Sequence, residues 1–336
     1  MALTSETQRT WLNLTFEEVV DPQREIIDPH HHLWRRSGLP AYILEDLWED
    51  TQCGHNIVKT VFMECGAEYR TSGPAHLQVV GETEFVRDLA LASRGQGKAE
   101  IAAIVGHADL DQDEAALREV LHAHEDAGAG FFRGIRHAGA HDPGRNLGWI
   151  NATPHANLFE RKVFRRGVKL LGELGYTFDS WHYHFQNQAF ADLAEAVPET
   201  TIVLDHFGTP CGVGDYAGKA TEVVSEWKLS IDRLARCPNV VVKVGGLAMP
   251  VNGFGWSDQD KPPSSDEVAK AHRDYYLHTI DAFGPDRCML ESNFPVDKLS
   301  LSYNVYWNAV KKITESFSAE ERHQLFYGTA ERIYRV

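Results

Sequence analysis

Eight short apolar or β-branched runs, separated by helical patterns, constrain this chain more than any other feature of its sequence. The runs are 26–32, 58–65, 101–106, 131–137, 177–184, 201–206, 240–244 and 287–291. Helical patterns fill 83–92, 114–127, 164–174, 188–196, 223–235, 266–283 and 319–335. Such alternation predicts a parallel sheet, because parallel strands need a long crossover, usually a helix. Eight units predict an α/β fold of the closed (β/α)8 TIM-barrel type. An open doubly wound sheet would carry a Gly-rich phosphate turn after its first strand. The sequence D-P-H-H-H-L-W stands there instead. Residues 23–336 read as a single barrel domain and residues 1–22 as an N-terminal extension. Two long βα connections, 138–154 and 248–265, are expected on the catalytic face as pocket walls or lids.

Charge and cysteine usage narrow the partners. The net charge is −15 over 336 residues. An acidic surface repels phosphate backbones and anionic membranes, so neither nucleic acid nor a membrane is expected as a partner. A small-molecule substrate is expected, and a homo-oligomer is left open. The five cysteines include no C-x-x-C, which argues against a disulfide framework and against a cysteine-rich zinc site. The first nine residues lack an apolar core and no apolar run reaches 18 residues, so a cytoplasmic location is expected.

The end of the first strand carries the chemistry. Side chains alternate along a strand, so His30 and His32 point to one face and His31 to the other. Two imidazoles on one face can grip a single divalent ion. Asp28 shares their parity and is expected to orient one of them. His182 and His184 close the fifth run with a common parity that would send both into the barrel mouth, and His206 closes the sixth. Trp34, Trp181, Phe254 and Trp256 are candidates to stack against a substrate ring, and equally for plain loop packing.

In this order the segments resemble the amidohydrolase-related proteins, metal-dependent hydrolases of barrel fold that include sugar lactonases and several decarboxylases. I-I-D-P-H-H-H-L-W resembles the family's D-x-H-x-H-x-W opening. R-G-I-R-H at 133–137, T-I-V-L-D-H-F-G at 201–208 and R-C-M-L-E-S-N-F-P-V-D at 287–297 resemble its fourth, sixth and eighth strands. L-F-Y-G-T-A-E-R-I-Y-R resembles its closing helix, with Thr329 where Asn is usual. The resemblance implies His30, His32 and His184 as ligands of a divalent metal. Zinc is the first choice, manganese the second, and a metal-free site the third. It implies His206 beside the reacting carbonyl, and Arg136 as a two-pronged grip on an anionic oxygen. His137 is a further candidate to hold the substrate.

One departure stands out. Many relatives carry Ser-Asp before the aromatic-Pro of the eighth strand, where the Asp binds metal and takes a proton from water. This chain has Ser292-Asn293-Phe294-Pro295. An amide cannot act as a general base. Asn293 would then be a neutral ligand or water anchor, or Glu64 would supply the missing carboxylate, or His206 would act without a metal. Asp297 and Glu291 are further carboxylates there, with a plain capping or solvated role equally open. The expected activity is opening of a small lactone, or a related cyclic ester or amide, by activated water. The alternatives are a non-oxidative decarboxylase of an aromatic or enoic acid, and a barrel that binds without catalysis.

Overall fold

A computed structural model describes residues 5–35, 40–150, 152–153 and 155–336. Residues 1–4 of the N-terminal extension, and Asn151 and Pro154 of the first long loop, lie outside the described residues. The strands are β1 (Glu25–His31), β2 (Asn56–Met63), β3 (Glu100–Gly106), β4 (Phe132–Arg136), β5 (Thr177–Ser180), β6 (Ile202–Leu204), β7 (Val240–Val244) and β8 (Cys288–Leu290). They form one sheet in chain order, and each neighbouring pair is parallel. The segment just past β8 returns to β1. His32 N–H donates to the Phe294 carbonyl at 2.8 Å and Asn293 N–H to the His30 carbonyl at 3.1 Å. That contact brings the sheet round on itself as a (β/α)8 barrel.

Helix α1 (Ser5–Leu12) precedes β1. One α-helix then crosses each strand connection: α2 (Leu44–Thr51), α3 (Val80–Ser93), α4 (Glu114–Gly128), α5 (Lys162–Glu173), α6 (Asn187–Ala196), α7 (Ala220–Ala235) and α8 (Ser265–Phe283). After β8 come α9 (Tyr303–Ile313), α10 (Ala319–His323), a π turn (Gln324–Gly328) and α11 (Thr329–Tyr334). No helix among the described residues is long and apolar enough to cross a membrane.

Strand parity sorts the core into two layers. Ile27, Val61, Met63, Ala103, Val105, Val203, Val241 and Met289 fill the barrel, closed by Ile333 and Tyr334 of α11. The alternate residues, among them Ile26, Ile135, Phe178, Ile202, Val240, Val242 and Leu290, pack outward with the apolar faces of the helices. This is the near-continuous apolar pattern of strands covered on both sides. The N-terminal segment is tied to this frame. Val20 N–H donates to Asn308 Oδ1 at 2.8 Å, and Ser265 N–H to Glu17 Oε1 at 2.7 Å.

Candidate active site

Inward parity continues past the apolar layer and turns charged. Two residues beyond Val203, Val241 and Met289 it presents Asp205, Lys243 and Glu291, all fully buried. Asp179 of β5 and Arg136 of β4 join them. Lys243 Nζ lies 2.9 Å from Asp179 Oδ2 and 3.1 Å from Asp205 Oδ1. Burial opposes the ammonium, yet Asp179, Asp205 and Glu291 outweigh it and hold Lys243 above its ordinary range. Burial likewise opposes the Asp205 carboxylate, and Lys243, His206 and Arg136 more than offset it. With Glu64, four carboxylates here face two permanent cations.

His30 and His32 meet as the sequence predicts. Their Nε2 atoms lie 3.2 Å apart in this buried layer. His32 Nδ1 lies 2.8 Å from the Met63 carbonyl, an acceptor only, so it carries the proton and leaves Nε2 bare. His30 Nε2 faces Arg136 Nη1 at 3.4 Å; a guanidinium only donates, so this nitrogen is bare too. Two lone pairs therefore converge. Bonds of about 2.0–2.1 Å to a tetrahedral ion put two imidazole nitrogens about 3.3 Å apart, so the pair fits a divalent metal such as zinc.

His206 completes a group of three imidazoles. Its ring centroid lies 4.5 Å from that of His30. It adopts a left-handed backbone, φ 54°, and its Nδ1 hydrogen-bonds Glu291 Oε1 at 2.7 Å. Gly246 makes room: a Cβ there would fall 2.4 Å from His206 Nδ1. His30, His206 and Glu291 also form the set of possible ligand groups that cluster within 4.8 Å among the described residues.

Several sequence expectations need correction. His184 does not join the pair. Its Nδ1 accepts from Cys211 N–H at 3.2 Å and its ring packs on Tyr216 and Phe185. His182 faces outward, against Phe159 and Phe190, with its Nε2 2.9 Å from Asn187 Oδ1. Both follow from β5 ending at Ser180: Phe178 points to the helices, Asp179 points inward, and beyond Ser180 the alternation lapses. Asp28 orients no imidazole. It accepts from Ser292 N–H at 2.9 Å and from the Tyr303 hydroxyl at 2.8 Å, on the helix side. A register irregularity between Asp28 and His31, at a proline that has no N–H to give the ladder, breaks the parity count. Burial raises its carboxyl to about 6 against those hydrogen bonds.

Arg136 is not a free anion grip. Its Nε donates to Glu64 Oε1 at 2.8 Å, Nη2 to the Glu64 carbonyl, and Nη1 faces Asp205 at 3.6 Å. Glu64 thereby spends one oxygen on Arg136. His137 accepts at Nδ1 from Leu110 N–H at 3.1 Å, and burial lowers its pKa to about 3, so it is a neutral wall residue.

Asn293, at φ 57°, donates from Nδ2 to Asp297 Oδ1 at 2.9 Å. Burial raises the Asp297 carboxyl to about 7. Asn293→Asp would set two buried carboxyls against each other, and they must share a proton to coexist. We expect a loss of about 1–3 kcal/mol at pH 8. The shared proton gives the folded state a raised pKa, so the loss should shrink at pH 5. Urea denaturation of variant and wild type at the two pH values checks this; an equal loss at both would contradict it.

A cleft of about 770 Å³ opens over His32, Glu64 and Arg136. Trp34, Trp149, Trp181, His107, His137 and His155 line it. The first long loop supplies Ala138, Trp149, Ile150, Ala152 and Thr153. The second, 248–265, gives this cleft no lining residue, against expectation. Phe254 stacks on Trp256 at 5.9 Å and both pack against His272 of α8, which holds that loop outside.

Sequence reasoning missed Lys243, Asp179 and Asp205, and left Glu291 undecided. A lysine inside V-V-V-K-V was the available signal, since a buried strand tolerates that charge only when it is paired.

Comparison with known proteins agrees with this architecture. The family model described as Amidohydrolase matches residues 27–336. An uncharacterised protein, y4mH, of Sinorhizobium fredii is 32% identical over 93% of this chain and 98% of its own length. An L-fucono-1,5-lactonase of Burkholderia multivorans is 31% identical over 76% of this chain and 77% of its own. The crystal structure of a Burkholderia multivorans amidohydrolase superposes with a TM-score of 0.71 at 24% identity, covering 93% of this chain and 100% of that one. A second crystal form of an amidohydrolase from that species, with bound zinc, gives 0.69. With the model match spanning nearly the whole barrel, the chain belongs to the amidohydrolase family.

Proposed function

We propose that this chain opens a small lactone with water, with His30 and His32 holding a divalent ion and His206 moving the proton. The observation that carries the reading is the convergence of two bare Nε2 atoms 3.2 Å apart beneath the cleft. An L-fucono-1,5-lactonase at 31% identity and a zinc-bound amidohydrolase of the same fold support it. A divalent ion in such a site polarises a carbonyl and lowers the pKa of water to around 7. The remaining work falls to the protein. His206, with Nδ1 hydrogen-bonded to Glu291, has Nε2 left to take a proton from the attacking water. The Glu291 carboxylate then stabilises the imidazolium. A lactone's leaving oxygen stays tethered to the acyl carbon, so His206 can return that one proton to it. Trp34, Trp149 and Trp181 give the ring apolar faces to stack on.

The test is a panel of sugar and aliphatic lactones, followed by acid release, on metal-analysed protein. Acid release that falls with a chelator and returns with zinc or manganese is expected. Acid release indifferent to chelation would leave the chemistry to His206 without an ion. No acid from any lactone would overturn the reading, and carbon dioxide from aromatic acids would replace it with a decarboxylase.

A further inference from the structure

The carboxylate that position 293 lacks has a counterpart two residues earlier. Glu291 is fully buried at the end of β8, with one oxygen on each of two catalytic-layer histidines. Oε1 accepts from His206 Nδ1 at 2.7 Å and from His206 N–H at 3.2 Å. Oε2 lies 2.8 Å from His30 Nδ1 but outside hydrogen-bond geometry, and makes no hydrogen bond. The His206 contact is a hydrogen bond to a carboxylate, so His206 Nδ1 carries the proton; at His30 the charges around Nδ1 decide, and the nearest is the Glu291 carboxylate.

We propose that Glu291 is a positioning residue that fixes the tautomers of His30 and His206 together, turning the Nε2 lone pairs of both outward for the reaction. This deepens the hydrolase reading and rests on it for its purpose, although the tautomers themselves are independent of substrate.

The neighbours discriminate against other roles. Lys243 Nζ also faces His30 Nδ1, at 3.4 Å. It is the competing donor, and would force His30 into the opposite tautomer. Lys243 is farther than Glu291, however, and is already engaged by Asp179 and Asp205. Arg136 donating toward His30 Nε2 requires the same tautomer that Glu291 does. Glu291 is also a poor metal ligand here, because the Lys243 ammonium occupies the space beside it and would repel a second cation. On the other face, Asn293 is committed to Asp297 and does not reach for these rings. One carboxylate thus does for two histidines what outer-shell carboxylates usually do for one.

Nitrogen-15 correlation spectra of histidine-labelled, metal-free protein test this directly. His30→Asn and His206→Asn variants assign the two rings. Protonated Nδ1 and bare Nε2 are expected on both. Glu291→Gln keeps size and shape but puts an NH2 where one oxygen was. That amide must donate to one Nδ1, so one ring is expected to switch to the Nε2–H tautomer. Zinc affinity, measured by chelator competition, should fall about 10–100-fold in the same variant. An Nε2–H tautomer on either ring of the wild type would overturn the proposal; on His30 it would identify Lys243 as the donor. Unchanged tautomers in Glu291→Gln would overturn it equally. A negative lactone panel would sink the hydrolase reading while leaving these spectra to decide the role of Glu291.

Discussion

Replacing His206 by Asn is expected to lower turnover by about 10²–10⁴-fold, the usual weight of a general acid–base, while the fold survives. The fold should survive for a local reason. His206 holds φ 54°, the left-handed region that Asn adopts more readily than most residues. Asn is also smaller than the imidazole, so Gly246 and Glu291 meet no clash. On the proposed mechanism, what is lost is the nitrogen that exchanges a proton with water and the leaving oxygen. KM for a lactone should change little, because the cleft walls are untouched. The check is steady-state kinetics beside a thermal melt. Near-normal turnover in a folded variant would remove His206 from the mechanism.

Lys243→Met is expected to cost about 3–5 kcal/mol of stability, the weight of breaking a buried ion pair from one side. Met keeps most of the stem, so little volume is lost. The charge is lost, and Asp179 and Asp205, at the ends of the adjacent strands β5 and β6, are then left with no ammonium between them. Their carboxyls must bind protons more tightly in the folded state than in the unfolded one. A raised folded pKa stabilises at low pH and is lost as pH rises. The deficit should therefore be largest above neutrality and shrink toward pH 5. Urea denaturation across that range measures it. A variant as stable as the wild type at pH 8 would mean that the two carboxylates are already neutral.

The barrel was legible because its strands are buried on both faces and read as unbroken apolar runs. Helices with one wet face were legible for a similar reason. Helix α9 was not, since nearly every residue of Tyr303–Ile313 is buried and no apolar stripe survives. Helix α2 is eight residues, four of them acidic, too short for a period to show. The site divides along the same physics. His30 and His32 were readable by alternation along a strand. Asp28, His182 and His184 were misplaced by that same count, because it was carried across an irregularity at Pro29 and past the end of β5. Lys243 escaped notice, and Glu291 stayed undecided, because their partners come from other strands. Pairing between β5, β6, β7 and β8 is a property of the closed barrel, and single-strand patterns do not contain it.

The facing nitrogens of His30 and His32 are proposed to hold a divalent ion under the cleft. Crystals grown with zinc, measured on both sides of the zinc absorption edge, test it most directly. An anomalous difference peak bonded to Nε2 of both residues is expected, with its loss in a His32→Ala variant. A zinc peak elsewhere, with the His30–His32 pair empty, would contradict it.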